Sequence, residues 1–248
     1  GLPGADPQAV DARFAAFLAS PWQMLGWHAL FMATAAVVVA RGVQKGIEAA
    51  VKVLMPLLVA LMLLLAAWSI VEGDLAATLR FLLEPDPRHL NARTALEALG
   101  LGFFSIGVGL GMMITYAAYS GAEVGLRQVA VVSVVADTLI SLLAGLAVFP
   151  IVFAHGLDPA SGPGLVFVTL PLAFAKMPFG TLAAIAFFVL LFVAALASAI
   201  SLLELVVALL MRRMKWHRTA AVAVAASTCF VAGIATVLFP RDFKPAEN

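Results

Sequence analysis

The sequence predicts an all-α fold, a polytopic membrane helical bundle, and three observations carry this prediction. Of 248 residues, 63% are hydrophobic and only 12% are charged, whereas a soluble domain carries about 25% charged residues. Six apolar stretches are long enough to span a bilayer, which takes about 20 residues for about 30 Å of hydrocarbon. Basic residues concentrate in alternate loops between these stretches, as they do in multi-pass membrane proteins.

The predicted spans follow one another through a single transmembrane domain. They cover residues 23–40, 51–71, 95–119, 128–154, 180–211 and 219–239. The opening GLPGADPQAVDARF is polar and loop-like, without the pattern of a signal peptide. We expect both ends to continue into a longer chain, because the first residue is Gly1 and the last apolar stretch stops abruptly at Pro240.

The third span contains three glycines at alternate positions, Gly107, Gly109 and Gly111. Each glycine costs about 1 kcal/mol relative to alanine inside a helix, so we predict a discontinuous helix near 105–111. Backbone groups freed in a membrane survive only beside a cavity, where they can coordinate ions or a polar substrate. The alternative is close helix packing through small residues, which the spacing supports about equally.

The fourth span carries Asp137 within an otherwise apolar run, and Ser133 and Ser141 lie four residues to either side on the same helical face. An acid at the bilayer centre costs about 2.5–3.5 kcal/mol and is expected to face the protein interior or water. We interpret Asp137 as a residue that handles a cation or proton. The alternative is a protonated aspartate that only hydrogen-bonds a neighbouring helix.

The loop between the fourth and fifth spans contains GPGLVFVTLPLAFAKMPFG, an apolar segment interrupted by Pro171. It is too short to cross the bilayer. We predict a helical hairpin at about 164–177 over the outer face of the bundle, with a re-entrant segment as the alternative.

The fifth span places Ala194, Ser198 and Ser201 on one face of small residues, with Glu204 one turn further along. The serines could supply hydroxyl oxygens to a hard cation. By spacing alone, a stripe for helix packing is the better interpretation. The sequence assigns no role to Glu204.

Loop charges predict the orientation. One alternating set of loops has two acids against eight basic residues, which are Arg41, Lys45, Lys52, Arg127, Arg212, Arg213, Lys215 and Arg218. The opposite set combines basic residues with ten acids. Because Lys and Arg accumulate on the cytoplasmic side, the first set is predicted to be cytoplasmic and both ends of the chain to lie outside.

Several protein classes are excluded. Cys229 is the single cysteine, so no internal disulfide forms, and no Cys/His cluster has metal-site spacing. A net charge of +1 gives no basic surface for nucleic acid. Neither HExxH nor GxSxG occurs, so we find no catalytic residues and predict that the protein is not an enzyme.

Five segments together resemble the neurotransmitter:sodium symporter family, in particular its bacterial amino-acid transporter branch. They are ARGVQKGIEAAVKVLMP, FFSIGVGLGMMITYAAY, ADTLISLLAGLAVFP, LVFVTLPLAF and FVAALASAISLLE. They occur in the family's order and spacing and cover nearly the whole chain. The resemblance implies the fourth to ninth helices of the family's sodium symporter fold, which is built from a 5+5 inverted repeat.

The resemblance also implies roles for individual residues. The substrate would be bound by Phe104 as an aromatic lid and by Ser105, Gly107, Leu110, Ser198 and Leu202. The ligands of two sodium sites would include Ser105 and Asp137 at the first, and the Ala194 carbonyl and Ser198 hydroxyl at the second. Gating would involve Phe104, Tyr119, Gly46 and Pro56.

Two positions depart from the family pattern. Ala197 stands where the family usually has threonine or serine, which removes one hydroxyl ligand of the second sodium site. Arg212 falls where many members have an acid in the cytoplasmic gate. A third feature agrees with one branch of the family. The fixed negative charge of Asp137 is similar to the charge found in the chloride-independent bacterial members, so no chloride is expected.

The function implied by the resemblance is sodium-coupled symport of an amino acid or related small amine across the bacterial inner (plasma) membrane by alternating access. The partners would be the amino acid, sodium ions and the lipid bilayer. The residues themselves leave two alternatives: an ion or proton channel lined by Asp137 and the serine stripe, and a structural membrane subunit that transports nothing.

Overall fold

The computed structural model describes residues 7–84, 87–89, 91–109, 111–119, 125–156, 166–167, 170–175 and 179–238, and these ranges contain helices and turns but no strand. The helices are α1 (Pro7–Leu18), α2 (Pro21–Ala40), a π-helical segment (Val43–Glu48), α3 (Ala49–Glu72), α4 (Leu75–Leu83), a 3-10 turn (Pro87–His89), α5 (Ala92–Ile106), α6 (Met112–Tyr119), α7 (Leu126–Ala154), α8 (Leu170–Ala175), α9 (Gly180–Met214) and α10 (Arg218–Leu238). The predicted all-α fold is confirmed.

Within the described residues, five helical stretches are long and apolar enough to cross a membrane by length and composition. They are α2, the continuous segment Val43–Glu72, α7, α9 and α10. The remaining predicted span, the third at 95–119, is divided between α5 and α6, with 15 and 8 residues. Neither half alone has the roughly 20 residues that a crossing requires.

Two described helices occupy segments where the sequence predicted none. The opening segment was expected to be loop-like, but residues 7–18 form α1, in which Pro7 occupies a first turn that tolerates proline and alanines favour the helix. Helix α4 lies between the second and third predicted spans. Its N-cap is Asp74, whose carboxylate accepts the amide N–H of Ala77 at 2.9 Å.

The chain divides into two compact units. The described part of residues 56–191 forms the first unit, in which α3, α7, α8 and the start of α9 share one hydrophobic core around Leu65, Ile151, Phe174 and Phe187. Helix α8 packs into this core, and its Leu170, Pro171, Ala173 and Phe174 are buried. Within the hairpin predicted at 164–177, residues 166–167 and 170–175 are described, and the others lie outside the described residues.

Helix α4 is attached to α7 within the first unit. The ring centroid of Phe81 lies 4.9 Å from that of Phe149 and 5.3 Å from that of Phe153. The backbone N–H of Asp74 donates to the carbonyl of Pro150 at 2.9 Å. Aromatic edge-to-face packing and a backbone hydrogen bond therefore connect α4 to the last turns of α7.

The second unit consists of residues 7–55 and 192–238 as far as they are described. Its core brings α2 and the π-helical segment together with α9 and α10, around Val39, Ile47, Ile200, Val207 and Val222. The ring of His28 in α2 stacks on Phe230 in α10 at 5.1 Å between centroids. Small residues on α10 allow this close approach of α2 and α10.

Candidate functional site at the interrupted helix

The third predicted span is interrupted at its glycines. Helix α5 ends at Ile106, and Gly107 follows with φ of 75°, in the left-handed region that glycine adopts without strain. The Gly107 N–H donates to the Phe104 carbonyl at 3.1 Å, which caps the helix. Gly111 also has a left-handed φ, of 77°, and α6 begins at the next residue. The discontinuous helix predicted near 105–111 is confirmed.

A hydrogen bond joins the end of α5 to α7. The hydroxyl of Ser105 donates to the Asp137 carboxylate, with 2.6 Å between Oγ and Oδ1. The two residues are 32 positions apart in sequence. Asp137 is half-buried and Ser105 is exposed. The two bonded oxygen atoms are therefore only partly covered by the described chain.

Electrostatics at this pair favour a cation. Ser105 lies in the last turn of α5, where the helix dipole is negative, and an ionised Asp137 carboxylate would add to that negative potential. The last four carbonyls of a helix also lack donors within the helix. Here the carbonyls of Phe103 and Phe104 accept the N–H groups of Gly109 and Gly107 at 3.5 and 3.1 Å, and the first of these bonds is long. A hydroxyl, a carboxylate and helix-end carbonyls together form a set of hard oxygen donors.

The other predicted residues of the first unit that the structure describes lie on α3, α5, α6 and α7. The Phe104 side chain is 67% exposed, and its role as a lid stays a prediction. Leu110 lies outside the described residues, and Tyr119 ends α6 with its side chain outside them. On α7, Ser133 is half-buried and Ser141 is exposed. Pro56 lies inside α3.

The residues predicted for the second sodium site belong to the second unit. On α9, Ala194 is half-buried, Ser198 and Leu202 are exposed, and Ala197 is buried. Their roles as ligands or pocket residues stay predictions, as does the gating role of Gly46. Gly46 is buried in the π-helical segment, where a Cβ atom would overlap the carbonyl oxygen of Val38.

The sequence did not identify the partner of Glu204. This residue is completely buried in α9, and its carboxylate accepts a hydrogen bond from the guanidinium of Arg218 at the start of α10. Arg218 also donates through Nε to the carbonyl of Val39 at 2.8 Å. The available signal was the acid itself, because an ionisable residue inside an apolar helix requires a partner.

Comparisons with known proteins agree on one family. Residues 19–239 match the model described as the Sodium:neurotransmitter symporter family. The uncharacterized sodium-dependent transporter YhdH of Bacillus subtilis is 41% identical over 207 residues, covering 84% of this chain and 46% of that protein. An uncharacterized sodium-dependent transporter of Haemophilus influenzae is 32% identical over 214 residues, covering 86% and 47%.

A relative from an animal and a solved structure extend the comparison. Sodium-dependent nutrient amino acid transporter 1 of Drosophila melanogaster is 34% identical over 226 residues, which is 86% of this chain and 34% of that protein. The crystal structure of MhsT in complex with L-phenylalanine is similar with a TM-score of 0.85 and 41% identity, covering 96% of this chain and 54% of that chain. The chain thus spans about half the length of the bacterial proteins it matches.

Proposed function

The chain belongs to the sodium:neurotransmitter symporter family, and from this premise we propose that the protein takes up an amino acid or related small amine together with sodium. Transport proceeds by alternating access, in which one group of helices moves against the rest around a site near the bilayer midplane. Coupling requires that sodium and the amino acid each raise the affinity for the other.

The observation that supports this proposal most directly is the hydrogen bond between Ser105 and Asp137 at the interrupted helix. Interrupted backbone at membrane depth, where it lines a cavity, is typical of transporter ion sites. Sodium is cargo here, and the Ser105 hydroxyl and Asp137 carboxylate are proposed as two of its oxygen ligands. The second sodium would use the Ala194 carbonyl and the Ser198 hydroxyl, with Ala197 contributing no side-chain oxygen.

The proposed substrate is an amino acid with a large apolar side chain. Gly107 adds no side chain to the interruption, and Leu110 provides an apolar one, so the pocket would accommodate an uncharged group. The similar structure MhsT binds L-phenylalanine, which makes L-phenylalanine the first substrate to assay. Chloride is not required in this proposal, because Asp137 already supplies a fixed negative charge near the cation.

The proposed location is the inner membrane of a bacterium, with multiple crossings and both ends of this chain on the outer side. Support comes from the loop charges, since Arg41, Lys45, Arg212, Arg213 and Lys215 all lie at one end of their spans. The positive-inside rule assigns such an end to the cytoplasm.

The test is uptake of radiolabelled L-amino acids by the full-length protein reconstituted into liposomes, with and without an inward sodium gradient. Asp137→Ala is expected to abolish sodium-driven uptake while insertion into the liposomes is normal. The matched control is Thr138→Ala on the same helix. Its hydroxyl bonds only to the carbonyl of Val134 in the part of the chain that is described, so sodium-driven uptake should persist.

The same uptake assay distinguishes transport from the two alternative functions, an ion or proton channel and a structural membrane subunit. A channel would pass ions without saturation and without preference for L- over D-amino acids. A structural subunit would give no uptake in the unmodified protein. Sodium-driven, saturable uptake that is unchanged in Asp137→Ala would rule out the proposed sodium site.

A further inference from the structure

One end of the second unit carries six exposed cations, which we call the basic end. They are Arg41, Lys45, Lys52, Arg212, Arg213 and Lys215. Arg41 follows directly after α2, Lys45 and Lys52 lie in the first turns leading into α3, and the other three end α9 or follow it. Every one of them is therefore next to the terminus of a helix long enough to span a membrane.

Packing within the second unit brings these termini together. The Nε atom of Arg218, at the start of α10, donates to the carbonyl of Val39 near the end of α2. Leu210 and Met211 near the end of α9, and Trp216 in the turn that follows it, pack on the core that contains Val39 and Ile47. The cations from these three helix termini consequently lie on one surface of the unit.

Acids neutralise little of this surface. Of the acids described at this end of the unit, Glu204 is buried and bonded to Arg218. Glu48 is exposed and forms an ion pair with Lys52 at 2.8 Å. The side chains of Arg41, Lys45, Arg212, Arg213 and Lys215 therefore leave an excess of positive charge.

Apolar side chains accompany the cations. Met214 is 54% exposed between Arg213 and Lys215, and Trp216 is half-buried next to them. Tryptophan is enriched where membrane proteins meet the headgroup layer, because its ring is apolar and its N–H can bond to a polar group. A cationic surface with an apolar, interfacial border fits a ligand that combines a negative headgroup with an acyl chain.

We propose that the basic end binds anionic phospholipid, with the headgroup phosphate held by Arg212, Arg213, Lys215 and their neighbours Arg41 and Lys45. The proposal does not depend on transport. It requires only that this end of the unit faces a headgroup layer, which follows from its position at the ends of the spans. Charge complementarity selects the lipid, since clustered Lys and Arg beside a membrane span attract anionic lipids within a Debye length.

The experiment titrates dioctanoyl-phosphatidylglycerol into the purified full-length protein in a neutral detergent and measures the dissociation constant by calorimetry. The test variant is Arg212→Gln/Arg213→Gln/Lys215→Gln. Its matched control keeps the charge: Arg212→Lys/Arg213→Lys/Lys215→Arg. We expect the test variant to bind at least about tenfold more weakly, because each cation near an anionic surface contributes roughly fivefold. The control variant should bind like the unmodified protein.

Four further measurements complete the test. Dioctanoyl-phosphatidylcholine should bind more weakly than phosphatidylglycerol, and raising the salt concentration should reduce this preference. If the triple glutamine variant does not fold, Arg41→Gln/Lys45→Gln tests the other side of the basic end and should also weaken binding. Arg80→Gln, on α4 in the first unit, should leave it unchanged.

Two results would overturn the proposal. One is equal affinity for phosphatidylglycerol in the unmodified protein and in both glutamine variants. The other is tight binding of a soluble hexaglutamate peptide that phosphatidylglycerol fails to displace, since this would assign the basic end to an acidic protein segment.

Discussion

The guanidinium of Arg218 bonds to the carboxylate of Glu204, a side chain that has no exposed surface. Through Nε the same group donates to the carbonyl of Val39 at 2.8 Å. One side chain at the start of α10 thus connects α9 and α2. The Arg218 side chain is itself only 19% exposed, so both charges of the pair are largely removed from water.

Removing either partner should strongly destabilise the protein. Glu204→Ala or Arg218→Ala removes one partner of a largely buried ion pair, a change that costs about 3–5 kcal/mol. The double variant Glu204→Leu/Arg218→Met should be less destabilised than Arg218→Ala, because it removes both charges of the pair. Thermal unfolding of the purified protein measures the three effects. The control is Arg93→Gln, which breaks an exposed pair with Glu97 and should cost about 1 kcal/mol or less.

Ser105→Ala should weaken sodium activation of uptake. The change removes the proposed hydroxyl ligand and a hydrogen bond to a carboxylate, and such bonds to charged groups contribute about 1.5–3 kcal/mol. We expect the sodium concentration for half-maximal uptake to rise roughly tenfold or more. Ser105→Thr keeps the hydroxyl and should remain near the unmodified value, so equal defects in the two variants would contradict a ligand role.

Gly46→Ala should disturb the π-helical segment. An added Cβ would overlap the carbonyl oxygen of Val38, which is backbone and cannot rotate away. Overpacking of this kind costs about 1–3 kcal/mol, detectable as a lower unfolding temperature. Gly26→Ala in α2 is the comparison, because nothing lies within 4 Å of its Cβ position. That variant should be as stable as the unmodified protein or more so by up to about 1 kcal/mol.

Substitutions at two glycines of the interruption should differ in their effects. Gly107 has φ of 75°, a conformation that costs a residue with a side chain about 1–2 kcal/mol, and an added Cβ would overlap the Met112 side chain. Gly109 has no atom within 4 Å of its Cβ position. Gly107→Ala should therefore lower the unfolding temperature and reduce uptake more than Gly109→Ala does. Equal effects would show that the left-handed cap does not maintain the interruption.

The sequence predicted the interrupted helix because the signal is local. Three glycines at alternate positions weaken a helix wherever it lies, and Gly107 and Gly111 adopt the left-handed values that end α5 and precede α6. The bond between Ser105 and Asp137 is different, since the two residues are 32 positions apart. Spacing along the chain cannot pair them, and only the family resemblance placed both at one cation.

The features that the sequence missed have physical reasons too. Helix α4 has nine residues, so a search for apolar stretches of about 20 residues passes over it. The partner of Glu204 was counted among loop charges, because Arg218 is the first residue of α10 and its long side chain reaches back into the core. The sequence also missed α1, because its polar, proline-containing start resembles a loop and helix propensity alone did not indicate a helix there.

The attachment of α4 to α7 has a consequence for observing the protein at work. Pro150 has no N–H, so α7 lacks one hydrogen bond of its ladder and bends more easily at that point. The Pro150 carbonyl is bonded to Asp74, and Phe81 lies against Phe149 and Phe153, so α4 should follow any tilt of the last turns of α7. A spin label at Leu83, which is 64% exposed, would then report bending of α7 from the end of α4.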